Sequence, residues 1–280
     1  MKRLIGAHMP TAKGMAQALH DGKAIGCDCV QVFTTTPMQW RGKSISEEDA
    51  AAFRAAVPEA GLGAVASHAI YLLNLASPDP ELLEKSRTAY LQELERCRLL
   101  GIPQAVVHVG KHMDSGEDVG VQTLSESIRA VLAESPKEVA IAMETDAGQG
   151  TCIGHHFEQL ASVLDANKGH KRLTICLDTC HIFVAGYDIR TAEAFSKVLD
   201  DFDRVIGLDR LTCLHANDAK KPLGSRVDRH AHIGDGEIGM EAFRFLVNEP
   251  RLAHVPIYIE TPEMETMHEE NVRRLKSLLA

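Results

Sequence analysis

Nine His, Asp and Glu side chains stand at or near the ends of short apolar segments, and their types suit divalent metal ions. They are His68, His108, Glu144, Asp178, His181, His215, Asp228, His230 and Glu260. Imidazole and carboxylate groups bind zinc, manganese or iron, and nine ligands are too many for one ion. Two or three neighbouring ions would need a bridging carboxylate to offset their repulsion, and Glu144 is the candidate. Such a site predicts phosphodiester hydrolysis without a protein nucleophile.

The elements that must position these residues are eight strands alternating with helices. The predicted strands are Leu4–His8, Val30–Thr34, Val65–Ile70, Ala105–Val109, Val139–Glu144, Leu173–Asp178, Thr212–Ala216 and Val255–Glu260. Helical spacing predicts helices at Pro80–Leu100 and Ala192–Val205, with a cap at Ser46 and a helix end at Gly101. Eight such units indicate an α/β fold of the closed (β/α)8 TIM-barrel type. A doubly wound open sheet is the alternative, although no G-x-G-x-x-G follows the first strand.

In a TIM barrel the catalytic residues come from the carboxyl ends of the strands, where most of the nine residues lie. A single histidine at such a position is more often a hydrogen-bonded core residue than a ligand. Asn217 and Asp218 are expected only to cap the turn that follows their strand. Independent structural reasons for six successive strand ends are improbable, so the joint pattern predicts a metal site.

Composition limits the other possibilities. The 280 residues, 45% of them hydrophobic and 25% charged, predict one TIM-barrel domain over residues 1–280. The formal charge of −9 argues mildly against sequence-independent nucleic-acid binding, although bound metal ions can reverse the local sign. Seven cysteines without a C-x-x-C pair are expected to be mainly buried apolar residues. With no membrane-length apolar run and no signal peptide, the expected location is the cytoplasm.

Several motifs match one known family. The most specific is HANDAK at 215–220, followed by GSRVDRH at 224–230 and GDGEIG at 234–239. LDTCH at 177–181, AGYD at 185–188 and AGQG at 147–150 also match, as do Gly6-Ala7-His8, Gln39-Trp40, Tyr71, Asn74 and Leu75. On these motifs, from about Gly6 to Glu260, the chain resembles the endonuclease IV family of apurinic/apyrimidinic endonucleases, which have xylose-isomerase-like TIM barrels.

The resemblance implies a three-zinc enzyme that cleaves double-stranded DNA 5′ to abasic sites in base excision repair, with manganese as an alternative at one position. His68 and His108 would hold one ion, which Glu144 bridges to a second. The second would also be held by Asp178, His215 and Glu260, and the third by His181, Asp228 and His230. Glu144 and Glu260 are the predicted catalytic residues, a zinc-bound hydroxide is the expected nucleophile, and the protein is expected to be a monomer.

Four residues are predicted to contact DNA: Met38, Tyr71, Arg226 and Arg229. Met38 stands where the family usually has a basic contact, and it either inserts beside the lesion or packs against its own loop. Tyr71 is the candidate groove residue, with packing on the barrel rim as the alternative. Arg226 and Arg229 either contact phosphates or support the Asp228 carboxylate.

Two other functions fit parts of this pattern. A sugar isomerase or epimerase on a related barrel needs one or two metal ions, so the full set of nine residues, Asp228 and His230 included, counts against it. A non-catalytic lesion-binding protein would have no reason to keep every ligand. Metal stoichiometry separates the first alternative from the endonuclease, and DNA cleavage separates the second.

Overall fold

Strands and helices alternate along residues 2–42 and 44–280, which the computed structural model describes. The strands are β1 Ile5–Met9, β2 Cys29–Phe33, β3 Ala64–His68, β4 Gln104–His108, β5 Ala140–Glu144, β6 Leu173–Asp178, β7 Leu211–His215, β8 Asp218–Ala219, β9 His230–Ala231 and β10 Ile257–Ile259. The helices are α1 Met15–Ala24, α2 Glu47–Glu59, α3 Pro80–Leu100, α4 Glu117–Glu134, α5 Phe157–Ala166, α6 Thr179–Ala185, α7 Ala192–Val205, α8 Met240–Asn248 and α9 Met264–Ser277. Within the described ranges, no helix has the length and apolar character needed to span a membrane.

Eight of the strands form a closed parallel barrel. β1 to β7 pair in chain order, and β10 closes the ring by pairing with both β7 and β1. The barrel confirms the predicted fold and excludes the open doubly wound sheet. The short antiparallel pair β8–β9 lies outside the barrel and was not predicted from the sequence.

The predicted elements are all present, and the local signals that located them have the expected geometry. Ser46 accepts a hydrogen bond from the backbone N–H of Asp49 at 3.0 Å, and Gly101 ends α3 with a φ of 72°. The last strand is shorter than predicted at both ends. At its carboxyl end, the backbone N–H of Glu260 donates to the Asn217 side chain rather than to a neighbouring strand.

The interior of the barrel is layered. A buried middle layer consists of Cys29, Ala66, Val106, Ala142, Cys176, Cys213 and Tyr258. Side chains two residues apart on a strand point to the same face, so the next inward layer consists of His8, Gln31, His68, His108, Glu144, Asp178, His215 and Glu260. The strands therefore place polar residues on an apolar floor at the carboxyl end of the barrel. All seven cysteines are buried and free, in line with the expectation that they are mainly buried apolar residues.

Gly6 is the residue of β1 that lies at the level of the middle layer, and it contributes no side chain to that layer. A Cβ there would lie 1.7 Å from the backbone oxygen of Cys29. We predict that Gly6→Ala lowers the free energy of unfolding by about 3 kcal/mol, because β1 and β2 cannot keep their spacing around a methyl group. Urea denaturation followed by circular dichroism measures the change. An unaltered midpoint would show that the two strands separate at little cost.

Candidate metal centre

All nine predicted ligands cluster at the carboxyl end of the barrel, and five of them line a cavity there. His68, His108, Glu144, Asp178 and His215 each end a strand, and Glu260 directly follows β10. His181 lies in α6, immediately after β6, whereas Asp228 and His230 lie in the segment between β8 and β9 and in β9 itself. The cavity measures about 680 Å³, and its lining includes His108, His181, Asp228, His230, Glu260 and Tyr71.

Glu144 stands between two groups of candidate ligands. Its Oε2 lies 3.1 Å from His68 Nε2 and 3.5 Å from His108 Nε2. Its Oε1 lies 2.9 Å from His215 Nδ1, which is also 3.2 Å from Glu260 Oε2. Asp178 completes the second group, and within each group the donor atoms lie within 4.8 Å of one another. One carboxylate oxygen thus faces each group, which is the arrangement that a bridging ligand requires.

A third group surrounds Asp228. Its Oδ2 lies 3.4 Å from His181 Nε2, and its Oδ1 lies 3.2 Å from His230 Nε2. Asp178 Oδ2 lies 3.8 Å from the same His230 nitrogen, so the third group adjoins the second. The structure therefore brings the nine predicted residues together around Glu144 and Asp228, and their division among metal ions stays a prediction.

Hydrogen bonds to backbone carbonyl groups orient the histidine rings. The Nδ1–H groups of His68, His181 and His230 donate to the oxygens of Ala69, Thr145 and Glu260 at 2.7, 2.8 and 3.1 Å. A carbonyl only accepts, so each Nδ1 carries hydrogen and each Nε2 faces the carboxylates. The His230 Nε2 is buried, and it lies 3.2 Å from Asp228 Oδ1 and 3.8 Å from Asp178 Oδ2. This set of buried imidazole and carboxylate donors fits divalent metal ions.

Two side chains that the sequence did not single out as ligand supports hold the centre in place. Gln31 donates to Glu260 Oε1 at 2.8 Å, and its carbonyl oxygen lies 2.9 Å from His215 Nε2. Asn217 donates to Asp178 Oδ2 at 2.7 Å and accepts from the Glu260 backbone N–H at 2.7 Å. The expectation that Asn217 only caps a turn is therefore wrong. Gln31 could have been found from its polar side chain at an inward position of a buried strand.

Asp218 fastens the segment that carries the third group. Its buried carboxylate accepts hydrogen bonds from five backbone N–H groups, those of Ala219, Gly234, Gly236, Ile238 and Gly239, at 2.8 to 3.3 Å. The predicted capping role of Asp218 is confirmed, but the cap spans residues 219–239 and holds Asp228 and His230 over the barrel.

Comparisons with known proteins agree with this geometry. The family described as xylose isomerase-like TIM barrel matches residues 19–278. "Probable endonuclease 4" of Chloroflexus aurantiacus is 48% identical over 277 residues, which cover 98% of this chain and 97% of that protein. The chain belongs to the endonuclease IV family of apurinic/apyrimidinic endonucleases. The crystal structure of endonuclease IV from Thermus thermophilus superposes with a TM-score of 0.88 at 34% identity, covering 98% of each chain.

Members of the wider fold are more distant. The 3-keto-D-glucoside 4-epimerase YcjR from E. coli has a TM-score of 0.71 at 14% identity, covering 99% of this chain and 100% of that one. This likeness shows a shared barrel and nothing more. The endonuclease IV family is thus distinguished from the epimerases by sequence over nearly the whole chain.

The predicted DNA contacts of this family member lie at the cavity mouth and on the adjoining loops. Tyr71 is 51% exposed, and its ring centroid lies 5.7 Å from that of His68. Met38 is 65% exposed, which disagrees with simple packing against its loop. Arg226 has a φ of 54°, and Arg229 donates to the backbone oxygen of Asp228 at 2.6 Å. No contact of either guanidinium with the Asp228 carboxylate is present among the described residues. The four DNA-binding roles stay predictions.

Burial and opposite charge act against each other in this centre. Burial alone would raise the pKa of Glu144, but His108 and His215 hold it well below its ordinary range. Burial would lower the pKa of His230, but the hydrogen bond and charge of Asp228, with the charge of Asp178, raise it to about 9. The pKa of His181 is likewise raised, against the effect of burial, by Asp178 and Asp228. Without metal, the rings of His181 and His230 therefore hold protons at neutral pH.

We predict that metal binding releases protons and tightens as pH rises toward 9. A ring nitrogen must lose its proton to bind a cation, and the pKa of His230 without metal is about 9. Calorimetric titration of the metal-free protein with zinc, in buffers of different ionisation enthalpy, measures the released protons. His230→Asn should reduce their number, whereas His254→Asn, an exposed histidine outside the centre, should not. Equal proton release by both variants would contradict this account.

We also predict that Asp218→Ala removes one bound ion per chain. The substitution takes away no ligand, but it frees the five N–H groups that hold the segment with Asp228 and His230. Metal analysis after gel filtration gives the stoichiometry, with exposed Asp209→Ala as the matched control. A full metal complement in Asp218→Ala would show that the third group forms without this anchor.

Proposed function

We propose that this protein is a metal-dependent endonuclease that cleaves double-stranded DNA on the 5′ side of abasic sites, as a step of base excision repair. The proposal rests on the carboxylate of Glu144. One of its oxygens faces His68 and the other faces His215, so each oxygen is directed at a different group of ligands. The group around Asp228 lies nearby. Relatives named "probable endonuclease 4" support a DNA substrate. Because one chain supplies all nine ligands, the proposed active form is a monomer. We further propose that it consists of one TIM-barrel domain and acts in the cytoplasm.

The proposed cofactor is three zinc ions, with manganese as an alternative at one position. His68 and His108 would hold the first ion, and Glu144 would share it with the second. Asp178, His215 and Glu260 would complete the second position, and His181, Asp228 and His230 would form the third. Divalent ions at these positions supply a hydroxide nucleophile at neutral pH, by lowering the pKa of water, and neutralise charge on the reacting phosphate.

The protein's own residues position the substrate and the charges. Glu144 and Glu260 keep their negative charge in the buried centre, because the surrounding imidazoles hold their pKa values low against the effect of burial. Gln31 and Asn217 fix the orientation of Glu260 from two sides. The carboxylates and rings at the heart of the centre are buried, so the abasic nucleotide must rotate out of the duplex to reach them.

The rim residues would hold the distorted duplex. Exposed Met38 and Tyr71 are placed to fill the space left by the missing base, since apolar side chains can insert between base steps. Arg226 and Arg229 would contact phosphates. Three divalent ions would change the formal charge from −9 to about −3 and would place the positive charge in the cavity. Binding should still weaken as salt rises.

A sugar isomerase or epimerase is the second candidate, because distant members of the barrel fold have that activity. The third group counts against it, since one or two ions suffice for that chemistry. The non-catalytic alternative is disfavoured because every candidate ligand has its ring or carboxylate directed into the centre.

We predict that Glu144→Gln lowers the rate of incision at least about a hundredfold, because the amide cannot bridge two cations. The substrate is a duplex oligonucleotide with one tetrahydrofuran abasic analogue, and the expected product is cut 5′ to the analogue and ends in a 3′-hydroxyl. Glu158→Gln, an exposed change on α5, is the matched control and should retain full activity.

The metal content of the same samples decides what a negative result means. Protein that holds three ions and makes no cut would act on another phosphate ester. Protein that holds one or two ions and makes no cut would favour the sugar isomerase.

A further inference from the structure

A second cavity, of about 360 Å³, lies at the opposite end of the barrel from the metal centre. It lies between the carboxyl ends of α4 and α5 and the segments that lead into β5 and β6. Its apolar wall consists of Leu132, Ala133 and Ala166, and its rim carries Arg129, Lys137, Lys168 and His170. No aspartate or glutamate lines it in the described part of the chain. We call this cavity the basal pocket.

The cations near the basal pocket fall into two kinds. Arg172 donates to the backbone oxygens of Leu132, Pro136 and Val139 at 2.7 to 3.0 Å. Arg210 donates to the backbone oxygen of Gly169 at 3.0 Å. These two guanidinium groups are occupied in holding the loops that precede β5 and β6, so they are part of the scaffold.

The rim lysines have no such partners. Neither Lys137 nor Lys168 forms an ion pair or a side-chain hydrogen bond with any residue of 2–42 or 44–280. Arg129 donates only to the backbone oxygen of Ala166, at 2.9 Å. The pKa of His170 is lowered by partial burial and then by the charges of Arg172 and Lys137. Lys137 and Lys168 therefore stand without partners at the rim of an apolar pocket, although the chain has a formal net charge of −9.

We propose that the basal pocket binds an acidic peptide segment of a partner protein, with an apolar side chain at the end of that segment. Carboxylates of the segment would reach Lys137 and Lys168, while the apolar side chain would contact Leu132, Ala133 and Ala166. The volume lies at the lower end of the range for small-ligand pockets, so it admits one side chain rather than a domain surface. Such a contact would recruit the protein without covering its metal centre.

Nucleic acid fits the basal pocket less well than a peptide. A phosphate backbone offers no apolar group for the wall, and the few rim cations would neutralise too few phosphates for stable binding. A duplex engaged at the metal centre lies at the other end of the strands. This inference goes beyond the proposed function and does not depend on it, because none of the pocket residues belongs to the metal centre.

The test is fluorescence anisotropy with a fluorescein-labelled peptide, Asp-Asp-Asp-Leu-Phe with a free terminal carboxylate, and the full-length metal-loaded protein. We expect saturable binding that weakens with salt, and that weakens at least about tenfold in Lys137→Glu. Ala133→Trp should weaken it as much by filling the pocket without a change of charge. Lys23→Glu is the matched control, since Lys23 is an exposed lysine of α1 at the same end of the barrel. It should leave binding within about twofold of wild type.

Three results would overturn the proposal. The first is no binding of the peptide, with all variants folded by circular dichroism. The second is an equal loss in Lys23→Glu, which would show unspecific charge attraction. The third is a lesion-free duplex that displaces the peptide and loses affinity in Lys137→Glu, which would assign the pocket to nucleic acid. Incision of abasic duplex, measured on the same variants, should match wild type, and its absence in every sample would refute the proposed function alone.

Discussion

The carboxylate of Glu144 carries a negative charge inside the barrel and has no solvent exposure. The arrangement of the side chains around it follows from this burial. An isolated buried charge costs several kcal/mol, so it must be surrounded by cations or hydrogen-bond donors. His68 and His215 approach its two oxygens from opposite groups. In the absence of metal the rings neutralise the carboxylate by holding protons. Metal ions bound in place of those protons would supply positive charge beside the carboxylate, and they would also supply the chemistry.

The barrel accommodates this concentration of charge by separating it from the core. One residue in every two on each strand points inward, so a layer of cysteine, alanine, valine and tyrosine supports a layer of histidine and carboxylate. Strand pairing fixes the position of each residue along the barrel axis. For example, His108 of β4 and Glu144 of β5 are directly paired neighbours. Most of the ligands are therefore held by the hydrogen-bonded strands of the barrel. Only Asp228 and His230 come from a long connection, and Asp218 anchors that connection through its backbone.

The two ends of the barrel present different surfaces. The carboxyl end carries the cavity with the ligands, the half-exposed Tyr71 and the exposed Met38. The amino end carries the basal pocket, where Lys137 and Lys168 have no partner among the described residues. In the proposed functions, DNA cleavage takes place at the carboxyl end and partner binding at the amino end. A bound partner would therefore leave the metal centre open to DNA.

Local patterns in the chain were enough to predict the barrel and the types of the candidate ligands. Apolar segments between helical patterns located eight strands, and the residues at or just after their ends supplied the candidates, because side-chain direction along a strand follows a local period of two. Only the folded structure shows which ligands and supporting side chains contact one another. Gln31 and His215 are 184 residues apart, and no local pattern indicates that an amide on β2 orients a ring on β7. The same holds for Asn217, which joins Asp178 to Glu260, and for Asp218, which gathers five N–H groups from residues up to 21 positions away. Hydrogen bonds of this kind depend on closure of the barrel, which brings distant strand ends to one place, so they leave no periodic trace in the chain.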